Sequence, residues 1–153
     1  MLYKINEFLV TGLYVGKIKW APGTFGTLFA VPLAWVFTRA GLINYMILTL
    51  IMIMVAIVLC QFHEYKAQKH DQGEVVIDEV VGYLLAFMWL PANVYSFVFS
   101  FLLFRLFDIL KPFPISYIDK NIKGGLGVVA DDLAAGLVTN LILHVVQQNT
   151  HWW

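Results

Sequence analysis

Charge is scarce in this sequence of 153 residues: 13% of it is charged and 60% is hydrophobic. Soluble domains are about a quarter charged and about half apolar, so an ordinary soluble domain is excluded and a membrane is indicated. No sign of charge dominates either, since ten Lys and Arg offset ten Asp and Glu. A net charge of zero offers no polycationic surface for nucleic acid and no bulk acidity, so any electrostatics that matter are local. Cysteine is nearly absent. The single Cys60 lies inside an apolar run, which excludes an internal disulfide and a cysteine-based zinc site. The first twenty residues carry Lys4, Glu7, Lys17 and Lys19 and lack an uninterrupted apolar core ahead of a small-residue cleavage site. No cleaved secretory leader is expected, and the apolar runs should stay in the mature protein. By length the chain is one membrane-embedded domain, residues 1–153.

Long apolar runs are what the sequence does have. Leu42 to Gln61 is free of charge and matches the roughly 20 residues needed to cross hydrocarbon. A shorter run, Gly26 to Thr38, follows the turn-forming Pro22-Gly23 and is separated from the next by Gly41, which together read as a helical hairpin. Val75 to Leu90 and Tyr95 to Leu110 are split by Pro91-Ala92-Asn93, and Val128 to Gln147 is the last run. If Pro91 only kinks one long helix, Asp78 and Arg105 lie on opposite sides and the basic residues divide evenly. If the tripeptide is a turn, Lys4, Lys17, Lys19, Lys66, Lys69, Arg105, Lys111, Lys120 and Lys123 share one side and Arg39 alone is on the other. Cytoplasmic loops carry the Lys/Arg excess, so the turn is preferred. The expected fold is all-α: a polytopic bundle of about five membrane helices with the N-terminus inside. An N-terminal interfacial helix with Ile5, Phe8, Leu9 and Leu13 on one face precedes them. The closing His151-Trp152-Trp153 suits the outer membrane-water boundary.

This topology brings every charged constellation to the cytoplasmic end of its helix. Val75 to Gly82 (VVIDEVVG) and Val128 to Gly136 (VVADDLAAG) resemble each other, each with two Val, a spacer, two acids and a Gly one turn below an acid. Asp78 with Gly82, and Asp132 with Gly136, are i, i+4 pairs, and a Gly there lets another helix approach closely. Acids at a helix start are commonly caps on the positive end of the dipole. For Asp78, Glu79, Asp131 and Asp132 together that account fails, because each acid placed toward the bilayer costs about 2.5 to 3.5 kcal/mol. Clustered carboxylates also repel one another unless a cation holds them. Hard oxygen ligands without Cys or His favour Mg²⁺ or Mn²⁺.

Arg105, Asp108 and Lys111 share one helical face, directly ahead of the helix-stopping Pro112. In isolation they would be a positive-inside anchor with an Arg105–Asp108 pair. Opposite two acidic segments, the guanidinium and the ammonium look like a phosphate clamp. Ala21 to Thr27 (APGTFGT) adds turn glycines and the hydroxyls of Thr24 and Thr27 at a helix N-terminus, a candidate anion site that lacks the Lys of a P-loop. Asn140 and His144 continue a polar stripe from Asp132 and are expected to bond between helices. A cysteine-phosphatase loop at Cys60 is rejected, since Lys66 stands where that loop needs Arg.

The motifs APGTFGTL, VIDEVVG, FRLFDILKPFPI and IDKNIKGGLGVVADDLAAG, in that order from about Gly12 to Asn140, resemble the phosphatidylglycerophosphatase A family of bacterial membrane phosphatases. In that family the first motif usually ends Gly-Ser-Leu, whereas here Gly26-Thr27-Leu28 keeps the hydroxyl. The resemblance implies Mg²⁺-dependent removal of the terminal phosphate from phosphatidylglycerol phosphate on the cytoplasmic face of the bacterial inner membrane. On this expectation Asp78, Glu79, Asp131 and Asp132 hold Mg²⁺, and Arg105 and Lys111 stabilise the phosphoryl oxygens. Thr24 and Thr27 are further candidates for the phosphate. Asp108 is a candidate base, an orienting partner for Lys111 or a covalent nucleophile, and Asp131 is a second catalytic candidate beside Lys111.

Two other classes compete. A small ion-coupled transporter would need acids near the midplane and inverted repeats, whereas the two acidic segments here enter from the same side. A CDP-alcohol phosphotransferase would also use acids and Mg²⁺, but the Asp-Gly-x-x-Ala-Arg signature is absent.

Overall fold

The computed structural model describes residues 2–67 and 73–150, and among them all regular structure is helical. Seven helices follow in order: α1 (Leu2–Val10), α2 (Pro22–Arg39), α3 (Leu42–Ala67), α4 (Ile77–Ala86), α5 (Val94–Leu110), α6 (Ile115–Asn121) and α7 (Gly124–Thr150). Lys69 and the closing His151-Trp152-Trp153 lie outside the described residues.

Local chemistry sets most boundaries. Pro22 occupies the first turn of α2, where its missing N–H costs nothing. Gly41, at φ +89°, turns the chain from α2 into α3. Asn93 caps α5 by accepting the Ser96 amide at 2.9 Å. Lys111, left-handed at φ 42°, ends α5 ahead of Pro112.

The central element is α4, apolar beyond its acidic first turn and enclosed by α2, α3, α5 and α7. Tyr83, Leu84 and Phe87 are wholly buried there with Phe104 of α5 and Ala30 and Ala34 of α2. At Gly82, a Cβ would come within 2.8 Å of the Asp132 carbonyl oxygen, so α4 and α7 touch backbone to backbone. The outer faces are apolar too: Leu42, Ile43, Met54 and Val58 of α3, with Leu102 and Ile109 of α5, are all exposed. Of the described helices, α3 and α7 are each long and apolar enough to cross a membrane.

Two expectations on boundaries need correction. The apolar run Val75 to Leu90 suggested a helix of that extent, but α4 has only ten residues and turns after Ala86. Polar side chains from neighbouring helices capture its last carbonyls: Asn140 Nδ2 donates to Ala86 (3.1 Å) and Met88 (2.8 Å), and Tyr45 Oη to Leu84 (2.8 Å). His144 Nε2 lies 3.2 Å from the same Met88 oxygen. Likewise, α7 begins at Gly124 rather than Val128, so Asp131 and Asp132 lie inside the helix and not in its first turn. A dipole-cap role is therefore closed to them, while Asp78 and Glu79 do sit in the first turn of α4.

The choice at Pro91 is settled by where the charges end up. Arg105, near the end of α5, lies 3.9 Å from Glu79 at the start of α4. The chain therefore reverses at Pro91-Ala92-Asn93. On α1, Ile5, Phe8 and Leu9 face outward, as does Leu13 just beyond it, while Asn6 and Val10 dock inward. Asn6 Nδ2 donates to the Leu59 carbonyl at 3.0 Å, which fixes α1 on α3.

Candidate active site

Five chain segments meet at a cavity of about 430 Å³. The start of α2 contributes Ala21, Pro22 and Gly23, and the start of α4 contributes Asp78 and Glu79. Arg105, Asp108 and Lys111 come from the end of α5, Asp119 from α6, and Gly127, Val128, Asp131 and Asp132 from α7. Six carboxylates and two cationic side chains thus line one space.

The carboxylates form two groups that share a member. Asp78, Glu79 and Asp132 each offer an oxygen within 4.8 Å of the others, and so do Asp108, Asp131 and Asp132. Asp131 and Asp132 are 7% and 3% exposed, a setting in which unpaired charge is expensive. One oxygen of Glu79, Oε2, is buried without a hydrogen-bond partner among the described residues. Oxygen-only donors in threes, with an orphaned buried acceptor among them, fit a hard divalent cation such as Mg²⁺.

Arg105 Nη1 pairs with Asp108 Oδ2 at 2.5 Å, and its Nε is buried with no partner among the described residues. Lys111 Nζ lies 2.6 Å from both Asp119 Oδ1 and Asp131 Oδ2. Partial burial opposes charge on Lys111, but the hydrogen bonds from its ammonium to Asp119 and Asp131 outweigh it and hold its pKa above the usual lysine range. The expectation that Asp108 orients Lys111 is corrected here: Asp108 pairs with Arg105, and Asp119 and Asp131 hold Lys111.

Seven of the nine residues singled out from the sequence line the cavity: Asp78, Glu79, Arg105, Asp108, Lys111, Asp131 and Asp132. Thr24 and Thr27 do not. The Thr27 hydroxyl is wholly buried and donates to the Gly23 carbonyl at 2.8 Å, within its own helix. Gly23 takes the place in the wall, with Arg105 Nη1 3.1 Å from where its Cβ would be. Asp119 escaped the sequence reading, because nothing local announces that α6 will fold back toward Lys111 beyond the Pro112 and Pro114 turn. The available signal was an acid in a short segment whose Ile115 is apolar enough to anchor it.

Comparison with known proteins follows the same motifs. The family model for Phosphatidylglycerophosphatase A matches residues 8–147. Phosphatidylglycerophosphatase A of Escherichia coli is 33% identical over 147 residues, covering 95% of this chain and 84% of the relative. That of Haemophilus influenzae is 33% identical over 143 residues, covering 92% and 88%. A chain of Bacteroides thetaiotaomicron, provisionally named a phosphatidylinositol-3-phosphatase, is 29% identical over 144 residues, 90% of each. No solved structure matches. On the extent of the family match and on these identities, the chain belongs to the phosphatidylglycerophosphatase A family.

Proposed function

We propose that the protein is a Mg²⁺-dependent lipid phosphatase that releases the terminal phosphate of phosphatidylglycerol phosphate at the cytoplasmic face of the bacterial inner membrane. The observation that carries this reading is the meeting of acidic and cationic side chains from α4, α5, α6 and α7 in one cavity. Membership in a phosphatase family favours it over an ion path.

Asp78, Glu79, Asp131 and Asp132 would hold Mg²⁺, which supplies Lewis-acid polarisation of the phosphate and activation of water. Arg105 has an unpartnered buried Nε to offer a phosphoryl oxygen, and the fork geometry of a guanidinium suits that contact. Lys111, held at the rim by two carboxylates, adds a second positive charge where charge builds up during transfer. Asp108, paired with Arg105, would take a proton from the attacking water.

The same reading places five helices across the bilayer with the N-terminus inside: α2, α3, α4, α5 and α7. A ten-residue α4 rises only about 15 Å, half of the roughly 30 Å hydrocarbon core. Its start is level with Asp132, which lies eight residues and so about 12 Å into α7. The recess above α4, the helix itself and the turn below it together cover the crossing. The apolar outer faces of α3 and α5 suit lipid, and the Lys/Arg excess sets the cavity toward the cytoplasm. Cysteines at Arg39 and Lys111 should be labelled from opposite sides, Lys111 from the cytoplasm.

The deciding assay measures phosphate release by the detergent-purified protein from phosphatidylglycerol phosphate and phosphatidylinositol 3-phosphate, with Mg²⁺ and with chelator. Faster release from the first, abolished by chelation, is expected. Release unaffected by chelator would remove the metal from the reading, and preference for the inositol lipid would remove the substrate.

A further inference from the structure

We infer that Asp119 is a positioning residue for the phosphatase reaction: it holds the Lys111 ammonium at the rim of the cavity and keeps it from settling on Asp131. The inference rests on the phosphatase reading above and adds to it a carboxylate that takes no part in holding Mg²⁺.

Three observations carry it. The first is the place of Asp119 among the acids. It lines the cavity, yet it belongs to neither of the three-acid groups, Asp78–Glu79–Asp132 and Asp108–Asp131–Asp132. Its ion-pair partner is Lys111, 2.6 Å away. The second is how α6 delivers it. Lys111 closes α5 in a left-handed conformation, and the chain turns back through Pro112 and Pro114 into α6, which packs against α7. Ile115 is buried and Asp119 lies one turn further on along the same face, so burying the isoleucine turns the carboxylate inward.

The third observation is the geometry around Lys111 Nζ. An ammonium carries three N–H groups, and two are taken by Asp119 Oδ1 and Asp131 Oδ2, each at 2.6 Å. The side chains of Asp119 and Asp131 are 39% and 9% exposed, so one draws the ammonium from the solvent side and the other from the interior. A lysine ammonium is a point charge on a flexible four-carbon stem. With Asp131 alone it would settle on that carboxylate, compete with the cation for its oxygens and spend its charge there. Two acceptors fix it between them and leave the third N–H for a phosphoryl oxygen.

A double-mutant cycle of Asp119→Ala and Lys111→Met tests this, read as steady-state phosphate release from phosphatidylglycerol phosphate by the full chain in detergent with Mg²⁺. Asp119→Ala is expected to lower kcat by about 10- to 100-fold and leave KM within a few-fold of wild type, since the ammonium matters most when charge builds up in transfer. In the Lys111→Met background the same substitution should change kcat by no more than about twofold, because Asp119 acts through Lys111. Losses that multiply in the double variant, an effect confined to KM, or an Asp119→Ala kcat close to wild type would each overturn the inference and leave the phosphatase reading standing. Absence of release from the wild type overturns that reading, and the inference with it. Should Asp119→Ala fail to fold, Asp119→Asn, which keeps the shape and removes the charge, takes its place in the cycle with the same expectations.

Discussion

Gly136 of α7 rests directly on the backbone carbonyl of Gly82 in α4: a Cβ on Gly136 would fall on that oxygen, closer than any real contact allows. The crossing point sits one turn below Asp132 and one turn below Asp78, so the same contact that joins the helices sets the spacing of their acids. Gly136→Ala should therefore cost about 1–3 kcal/mol, as overpacking does, and push Asp78 and Asp132 apart. Gly73→Ala is the control, since a Cβ there meets nothing within 4 Å among the described residues. Thermal unfolding in detergent should show a lowered midpoint for the first and an unchanged one for the second. Equal midpoints would mean the two helices are not in contact here.

On the proposed function, Arg105 would do two things that lysine cannot do together, namely hold Asp108 through one nitrogen and keep Nε for a phosphoryl oxygen. Arg105→Lys keeps the charge and loses the fork. A fall in kcat of about 100-fold or more is expected, comparable with loss of one donor to a developing oxyanion. Initial rates on phosphatidylglycerol phosphate measure it, and a variant within a few-fold of wild type would reassign Arg105 to anchoring alone.

Lys111 gives a pH prediction with a definite sign. Its pKa is raised from the ordinary 10.5 once Asp119 and Asp131 outweigh the effect of burial, so the stability it contributes is fully present below the unfolded value. That contribution disappears only as pH rises through the folded value. The difference in melting midpoint between wild type and Lys111→Met should stay flat from about pH 6 to about pH 9 and shrink in stronger alkali. A difference that changes across neutral pH would point to another group.

The site was more legible in the sequence than the fold around it. Asp78, Glu79, Asp131 and Asp132 stood out because carboxylates are costly in an apolar run, and Arg105 and Lys111 because two cations preceded a proline. The doublets' own glycines, Gly82 and Gly136, even announced the helix contact. What stayed hidden depended on partners distant along the chain. Thr27 reads as a free hydroxyl until its back-bond to Gly23 is seen, and Asp119 reads as a loop acid until α6 folds back on Lys111. The end of α4 is the clearest case. Nothing between Ala86 and Leu90 breaks a helix by composition, because the residue that ends it is Asn140, more than fifty positions away.

That last contact can be tested by itself. Asn140 donates to both Ala86 and Met88, replacing the helical hydrogen bonds that α4 gives up when it turns. Asn140→Leu would leave two carbonyls of a largely buried segment with fewer donors, at a cost of about 1–2 kcal/mol for polar bonds between helices in an apolar setting. Asn140 lies eight residues, about 12 Å, beyond Asp132, so the cavity should keep its ligands. The expected outcome is a lower unfolding midpoint on titration with a denaturing detergent, with Mn²⁺ affinity within a few-fold of wild type. Unchanged stability would mean that the turn after Ala86 is held by Tyr45 and His144 alone, whereas loss of Mn²⁺ binding would tie the lower end of α4 to the geometry of its acids.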